Sequence, residues 1–91
     1  MLPLRWSARA LEKLEALIGH IALSNPGAAE TLQLRIESAI LPLSRHPYLC
    51  RPGRVPGTRE LVAHPNYIVV YRVLADCVEI INVLHAKQKY P

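Results

Sequence analysis

Two eight-residue apolar runs separated by only two residues constrain this chain more than any other feature. Residues 67–74 read YIVVYRVL and residues 77–84 read CVEIINVL, with Ala75 and Asp76 between them. Val, Ile and Tyr suit a pleated, half-buried surface, and runs of this length bounded by turn residues match strands better than helices. A two-residue connection between such runs implies a tight antiparallel hairpin. Residues 58–63 supply a third strand through His64-Pro65-Asn66, because proline brings no amide to a ladder and favours a turn. The C-terminal half is therefore expected to be a three-strand meander.

Setting residue 74 opposite residue 77 pairs Arg72 with Glu79, Val70 with Ile81, Ile68 with Val83 and Asn66 with His85. The other face then carries Tyr67, Val69, Tyr71 and Val73 against Leu84, Asn82, Ile80 and Val78. That second face is apolar almost throughout and is expected to face the core. The first mixes aliphatics with Arg, Glu and His and is expected to stay partly open for a partner. A change of one residue at the turn would alter this pairing. Across the hairpin, Arg72 and Glu79 form an opposite-charge pair worth about 0.2–1 kcal/mol.

Upstream, residues 2–6 (LPLRW) read as a short edge strand, where Pro3 is tolerated, with Trp6 turned toward the core. Ser7 caps a first helix whose apolar stripe is Leu11, Leu14, Leu17, Ile18 and Ile21, ending near Leu23. Asn25 caps a second helix with Pro26 at its first position, buried through Ala29, Leu32, Ile36, Ile40 and Leu43 and running to about Ser44. Leu34 and Leu41 lie off that stripe. Pro42 is expected to stop or bend the last turn. Residues 45–56 (RHPYLCRPGRVP) form a loop stiffened by three prolines. The order β-α-α-β-β-β describes an α+β fold: a small, mainly antiparallel sheet with a two-helix hairpin packed on one face.

A chain of 91 residues is expected to make one domain, residues 1–91, and 51% hydrophobic residues suffice for a core. No apolar run approaches the ~20 residues of a membrane span. The opening MLPLRWSARA lacks the layout of a secretory signal. Cys50 and Cys77 match neither a disulfide framework nor a zinc motif, so two free thiols in a reducing cytoplasm are expected. His20, His46 and His64 share no ligand spacing, and neither a metal nor a cofactor is expected. The net charge of +4 is uneven: Arg45, Arg51, Arg54, Arg59 and Arg72 face only Glu60, and Lys87 and Lys89 follow in the tail, whereas the helices are mildly acidic. A basic end suits an acidic partner, either nucleic acid or an acidic protein segment.

Five motifs make the pattern specific. Asn25-Pro26 with Ala28 and Ala29 opens the second helix, and His46-Pro47 opens the loop. RPGRVPGTREL follows from Arg51 to Leu61, then YIVVYRV from Tyr67 to Val73 and VLHAKQKYP from Val83 to Pro91. With these in register, the chain resembles the toxin subunits of the RelE/ParE superfamily of bacterial type II toxin–antitoxin modules. The resemblance covers the whole chain and keeps the derived order of elements.

It implies a toxin neutralised by a cognate antitoxin in a hetero-oligomer, with one of two kinds of target. RelE-type members cleave mRNA on the ribosome and ParE-type members poison DNA gyrase. YIVVYRV followed by INVLH looks more like the ParE branch, often tied to plasmid stabilisation. Tyr67 stands where RelE- and YoeB-type nucleases place an arginine, and Pro56 or Gly57 stands near where the YoeB type carries its glutamate. Other nuclease members use histidines instead. A gyrase binder needs no catalytic residue. Its target-binding groups would be Arg51, Arg54, Arg59, Lys87, Lys89 and Tyr90, and the antitoxin would cover Ile68, Val70, Arg72, Ile81 and Val83. A nuclease would depend on His85, with Tyr90, Arg54 and Arg72 around the phosphate. A third reading is a divergent toxin of other target that mainly binds its antitoxin.

Overall fold

The runs expected as strands form the middle of a five-stranded sheet in the computed structural model, which describes residues 1–88. In chain order the elements are β1 (Leu4–Trp6), α1 (Ala8–Ala22), α2 (Pro26–Ile40), a 3-10 turn (Leu41–Ser44), β2 (Arg51–Pro52), β3 (Arg59–His64), β4 (Tyr67–Val73) and β5 (Val78–His85). The sheet order is β1-β5-β4-β3-β2. β1 runs parallel to β5 and the other pairs are antiparallel. The α+β arrangement is as expected, with one short strand, β2, added inside the proline-rich loop.

Both helix starts follow from their caps. The Ser7 hydroxyl accepts from the Ala10 amide at 3.1 Å, and the Asn25 side chain accepts from the Ala28 amide at 3.0 Å. Pro26 occupies a position whose amide has no intrahelical partner. The second helix does not run to residue 44. It ends at Ile40, and Pro42, which has no amide to offer an α-helical ladder, sits in the tighter 3-10 turn that follows. Leu34 and Leu41 are exposed. Leu11, expected in the buried stripe, is also exposed, and Ala10 is fully buried in its place. The Ser7 amide, just before the helix, donates to the Ile80 carbonyl at 2.9 Å, which ties the first turn of α1 to β5 where Ala10 is buried.

The hairpin keeps the expected register next to its turn and loses it halfway along. Val73 pairs with Val78, Arg72 with Glu79 and Tyr71 with Ile80, but Val70 then pairs with Asn82, leaving Ile81 as an extra residue. Beyond this bulge Ile68 faces Leu84, Val69 faces Val83 and Tyr67 faces His85. The expected pairs Val70–Ile81, Ile68–Val83 and Asn66–His85 are therefore wrong by one position. The Asn82 side chain accepts from the Val83 amide at 2.9 Å, which keeps that donor satisfied where the ladder is interrupted. The bulge turns Val83 into the main core and Leu84 to the opposite face. Both are hydrophobic, so alternation of polar and apolar residues did not distinguish the two registers.

Ala10, Leu14, Leu32, Ile36 and Ile40 of the helices pack against Val69, Tyr71, Val78, Ile80 and Val83 of the sheet. Tyr71 lies at the centre, with no exposed surface, and its hydroxyl donates to the Pro47 carbonyl at 2.8 Å. Burial, and then a hydrogen bond with Cys50, push this phenol well above its ordinary range, so it stays a donor. On the other face, Ile68, Val70 and Leu84 form a second cluster with Ile81 and Ala86. Cys50 and Cys77 are free thiols, as expected.

A charged row crosses that second face. Glu79 on β5 accepts from Arg72 Nε on β4 at 2.7 Å and from Arg5 on β1 at 3.1 Å. The Arg72 hydrogen bond, followed by that of Arg5, holds the Glu79 carboxyl below the ordinary value against a partial opposing effect of desolvation.

Two outcomes test this account. Tyr71→Phe removes the donor to Pro47 and should cost about 1 kcal/mol in denaturant unfolding, with faster hydrogen exchange at the Leu49 amide. Because folding lowers the Glu79 pKa, its contribution to stability is present above the ordinary carboxylate range near 4.5 and is lost as pH falls through the lower folded value. The stability difference between the native chain and Glu79→Gln should shrink on acidification below that range, and carboxyl NMR should show Arg72→Ala raising the Glu79 midpoint more than Arg5→Ala does.

Candidate functional site

The sheet face turned away from the helices carries a groove of about 450 Å³. Val70 and Ile81 are among its apolar lining, Arg72 and Glu79 its charged wall, Arg9 lies at one end and Val55 at the other. Four residues expected on this face, Ile68, Val70, Arg72 and Ile81, are there. Val83 is not: the bulge at Ile81 places it among the helix-side core, and Leu84 replaces it. The face is also less open than expected. Ile68, Val70 and Leu84 are buried by their own packing, and Val62, the partner of Ile68 on β3, is exposed beside them. Arg5, Asn82 and Leu84 belong to this surface and were not singled out from sequence, because a parallel edge strand and a bulge leave no local signature.

The basic loop is held from both sides. Arg51 on β2 pairs with Glu60 on β3, its Nε donating at 2.9 Å to a carboxylate whose side chain is only 8% exposed. Arg51 therefore has an acidic partner, nine positions away and across a strand pair that the loop's composition did not reveal. Arg59 points to the helix side beside Tyr71, donates to the carbonyls of Tyr48 (3.1 Å) and Cys50 (2.7 Å), and lies 5.0 Å from the centre of the Tyr48 ring. Its guanidinium braces the loop. Arg54 sits at the tip of the turn 53–57, where the Gly53 amide donates to the Thr58 carbonyl at 2.8 Å and Gly57 takes a φ of 84°. Gly53 is required there, since a Cβ would collide with the Thr58 side chain.

At the opposite end of the sheet, His64, Tyr67 and His85 line up across β3, β4 and β5. The two imidazoles each lie 5.5 Å from the Tyr67 ring. Nδ1 of His64 accepts from the Asn66 amide at 3.0 Å and Nδ1 of His85 accepts from the Lys87 amide at 3.1 Å. His85 pairs with Tyr67 and Arg72 with Glu79, so His85 and Arg72 are five residues apart along β4, roughly 17 Å at strand rise. They also face opposite sides of the sheet. Two of the groups considered for a nuclease site thus do not converge; of the other two, Arg54 lies in the turn before β3, and Tyr90 lies with Lys89 outside the described residues. Lys87 is exposed just beyond β5. Among the described residues no three His, Cys, Asp or Glu side chains are grouped to hold a metal ion.

A profile of the ParE toxins of type II toxin–antitoxin systems, parDE, matches residues 4–90. The protein Y4kP of Sinorhizobium fredii is 43% identical over 89 residues, which span 97% of this chain and 92% of that protein. Toxin RelE2 of Caulobacter vibrioides is 35% identical over 83 residues, spanning 89% of this chain and 91% of that toxin. In fold, the chain matches a chromosomal ParDE toxin–antitoxin structure from P. aeruginosa with a TM-score of 0.85 at 24% identity, over 96% of this chain and 98% of that one. It also matches the E. coli DinJ–YafQ toxin–antitoxin complex with a TM-score of 0.61 at 11% identity, over 92% and 91% of the two chains. With two capped helices on one side of a five-stranded sheet and a family match along nearly its whole length, this chain belongs to the ParE toxin family of type II toxin–antitoxin systems.

Proposed function

We propose that this toxin acts by binding DNA gyrase rather than by cutting RNA, and that a cognate antitoxin neutralises it by occupying the groove on the open sheet face. The observation that carries the first half is the separation of His85 from Arg72. Metal-free RNA cleavage needs a base, an acid and cations gathered around one phosphate. Here the imidazole and the arginine occupy opposite ends and opposite faces of the sheet. Tyr67, the residue beside His85, is flanked by two imidazoles rather than by cations. A binder makes no such demand, and the basic loop with Arg45 and Arg54 offers charge for an acidic protein surface.

The antitoxin reading rests on the groove. Its floor is aliphatic, and around it three arginines, Arg5, Arg9 and Arg72, outnumber the single carboxylate of Glu79, which suits an amphipathic, acidic segment. The neutralised form would be a toxin–antitoxin hetero-oligomer, and the toxin without antitoxin would act in the cytoplasm, where gyrase works. No helix of the described residues is long and apolar enough to cross a membrane.

Purified toxin should inhibit gyrase supercoiling and leave ribosome-bound mRNA intact. His85→Ala should keep its toxicity, whereas loss of a general acid or base from a nuclease costs about 10²–10⁴-fold. Specific mRNA cuts that vanish in His85→Ala would overturn the gyrase reading. Arg45→Glu with Arg54→Glu should weaken inhibition, more so at low salt. Arg51 is left out of that test because a glutamate there would oppose the buried Glu60. For the antitoxin, Ile81→Asp should lower affinity by at least tenfold, measured by calorimetry, without lowering gyrase inhibition. Unchanged affinity would remove the antitoxin from this face.

A further inference from the structure

The loop between the 3-10 turn and β3 presents two large apolar side chains to solvent, and the rest of the loop is built to hold them there. Tyr48 is 66% exposed and Leu49 is 76% exposed. Beneath them the backbone is fixed at four points. The buried Tyr71 hydroxyl holds the Pro47 carbonyl, Arg59 holds the carbonyls of Tyr48 and Cys50, and the Leu49 amide donates to the His46 carbonyl at 3.2 Å. Arg59 also backs one face of the Tyr48 ring. A floppy loop would hide such side chains or leave them disordered at an entropic cost on binding. A pre-ordered loop that exposes them avoids most of that cost.

The geometry points to Tyr48 and Leu49 as the apolar anchor by which the toxin docks into a hydrophobic pocket, rimmed by acidic residues, on its protein target. This deepens the target-binding reading above and rests on it. Charge supplies the acidic rim: residues 45–59 include Arg45, Arg51, Arg54 and Arg59 and no Asp or Glu, and Glu60, which follows, pairs with Arg51. Chemistry favours a protein over a nucleic acid. Arg59 is engaged by carbonyls and Arg51 by Glu60, whereas the most exposed side chain of the pair is an aliphatic leucine, which neither stacks on a base nor binds phosphate. An exposed tyrosine backed by an arginine, with an aliphatic neighbour beside it, joins the residue types enriched in binding hot spots to an apolar centre.

The test uses the full-length toxin with Tyr48→Ser and Leu49→Ser together. The control carries Leu23→Ser and Leu41→Ser, which remove two leucines that are 86% and 62% exposed elsewhere. The loop variant should raise the concentration for half-inhibition of supercoiling about 30-fold or more, the scale of losing one hot-spot residue. It should abolish growth arrest on induction while retaining antitoxin affinity and its thermal midpoint; the control should do none of this. Equal inhibition by native and loop variants would overturn the inference and leave the gyrase reading standing. If the native toxin fails to inhibit gyrase but the loop variant alone loses growth arrest, the gyrase reading falls and the anchor stands. Loss of antitoxin affinity with undiminished growth arrest would overturn the anchor. So would native binding to a fluorescein-labelled single-stranded oligonucleotide that the loop variant loses.

Discussion

The enclosure of Tyr71 is the constraint on which the rest of the structure depends. Its ring fills the space between the helical hairpin and the central strand, and its hydroxyl reaches past the core to a loop carbonyl. One side chain thus serves packing and loop placement together. Its cross-strand neighbours extend the effect: Arg59 on β3 lies beside it and braces the same loop, and Ile80 on β5 completes the layer beneath α1. Loop and sheet are thereby tied together, since three loop carbonyls, those of Pro47, Tyr48 and Cys50, are held by side chains of β3 and β4.

What could be read in the sequence was local. Ser7 and Asn25 announced the helices because a cap and its amide are three residues apart. The Arg72–Glu79 pair could be read because only a two-residue turn had to be right. The second half of the hairpin could not. At Val83 and Leu84 either residue satisfies either face, so hydrophobicity carried no information about register, and the bulge at Ile81 depends on which of two apolar layers packs better. Leu11 and Ala10 make the same point: periodicity marks a stripe, but the close approach of helix and sheet selects the small residue.

The site was less legible than the fold because its groups meet across the sheet. Arg51 and Arg59 look alike in composition, yet one faces Glu60 and the other faces Tyr71, since neighbouring strands send alternate residues to opposite sides. Arg5 reaches Glu79 only because the first strand lies parallel to the last, a pairing of residues seventy-four positions apart. Tyr48 and Leu49 read as ordinary loop residues until the tethers beneath them are seen. Long-range topology, rather than any motif, decides which arginines remain available to a partner.

The shortness of the two outer strands has its own consequence. β1 spans three residues and β2 two, with Pro3 just before the first and Pro52 within the second. Each rim therefore offers few unpaired backbone groups in a row, and proline removes one donor at each. Rims this short give separate copies of the chain little template for zipping together into stacked sheets.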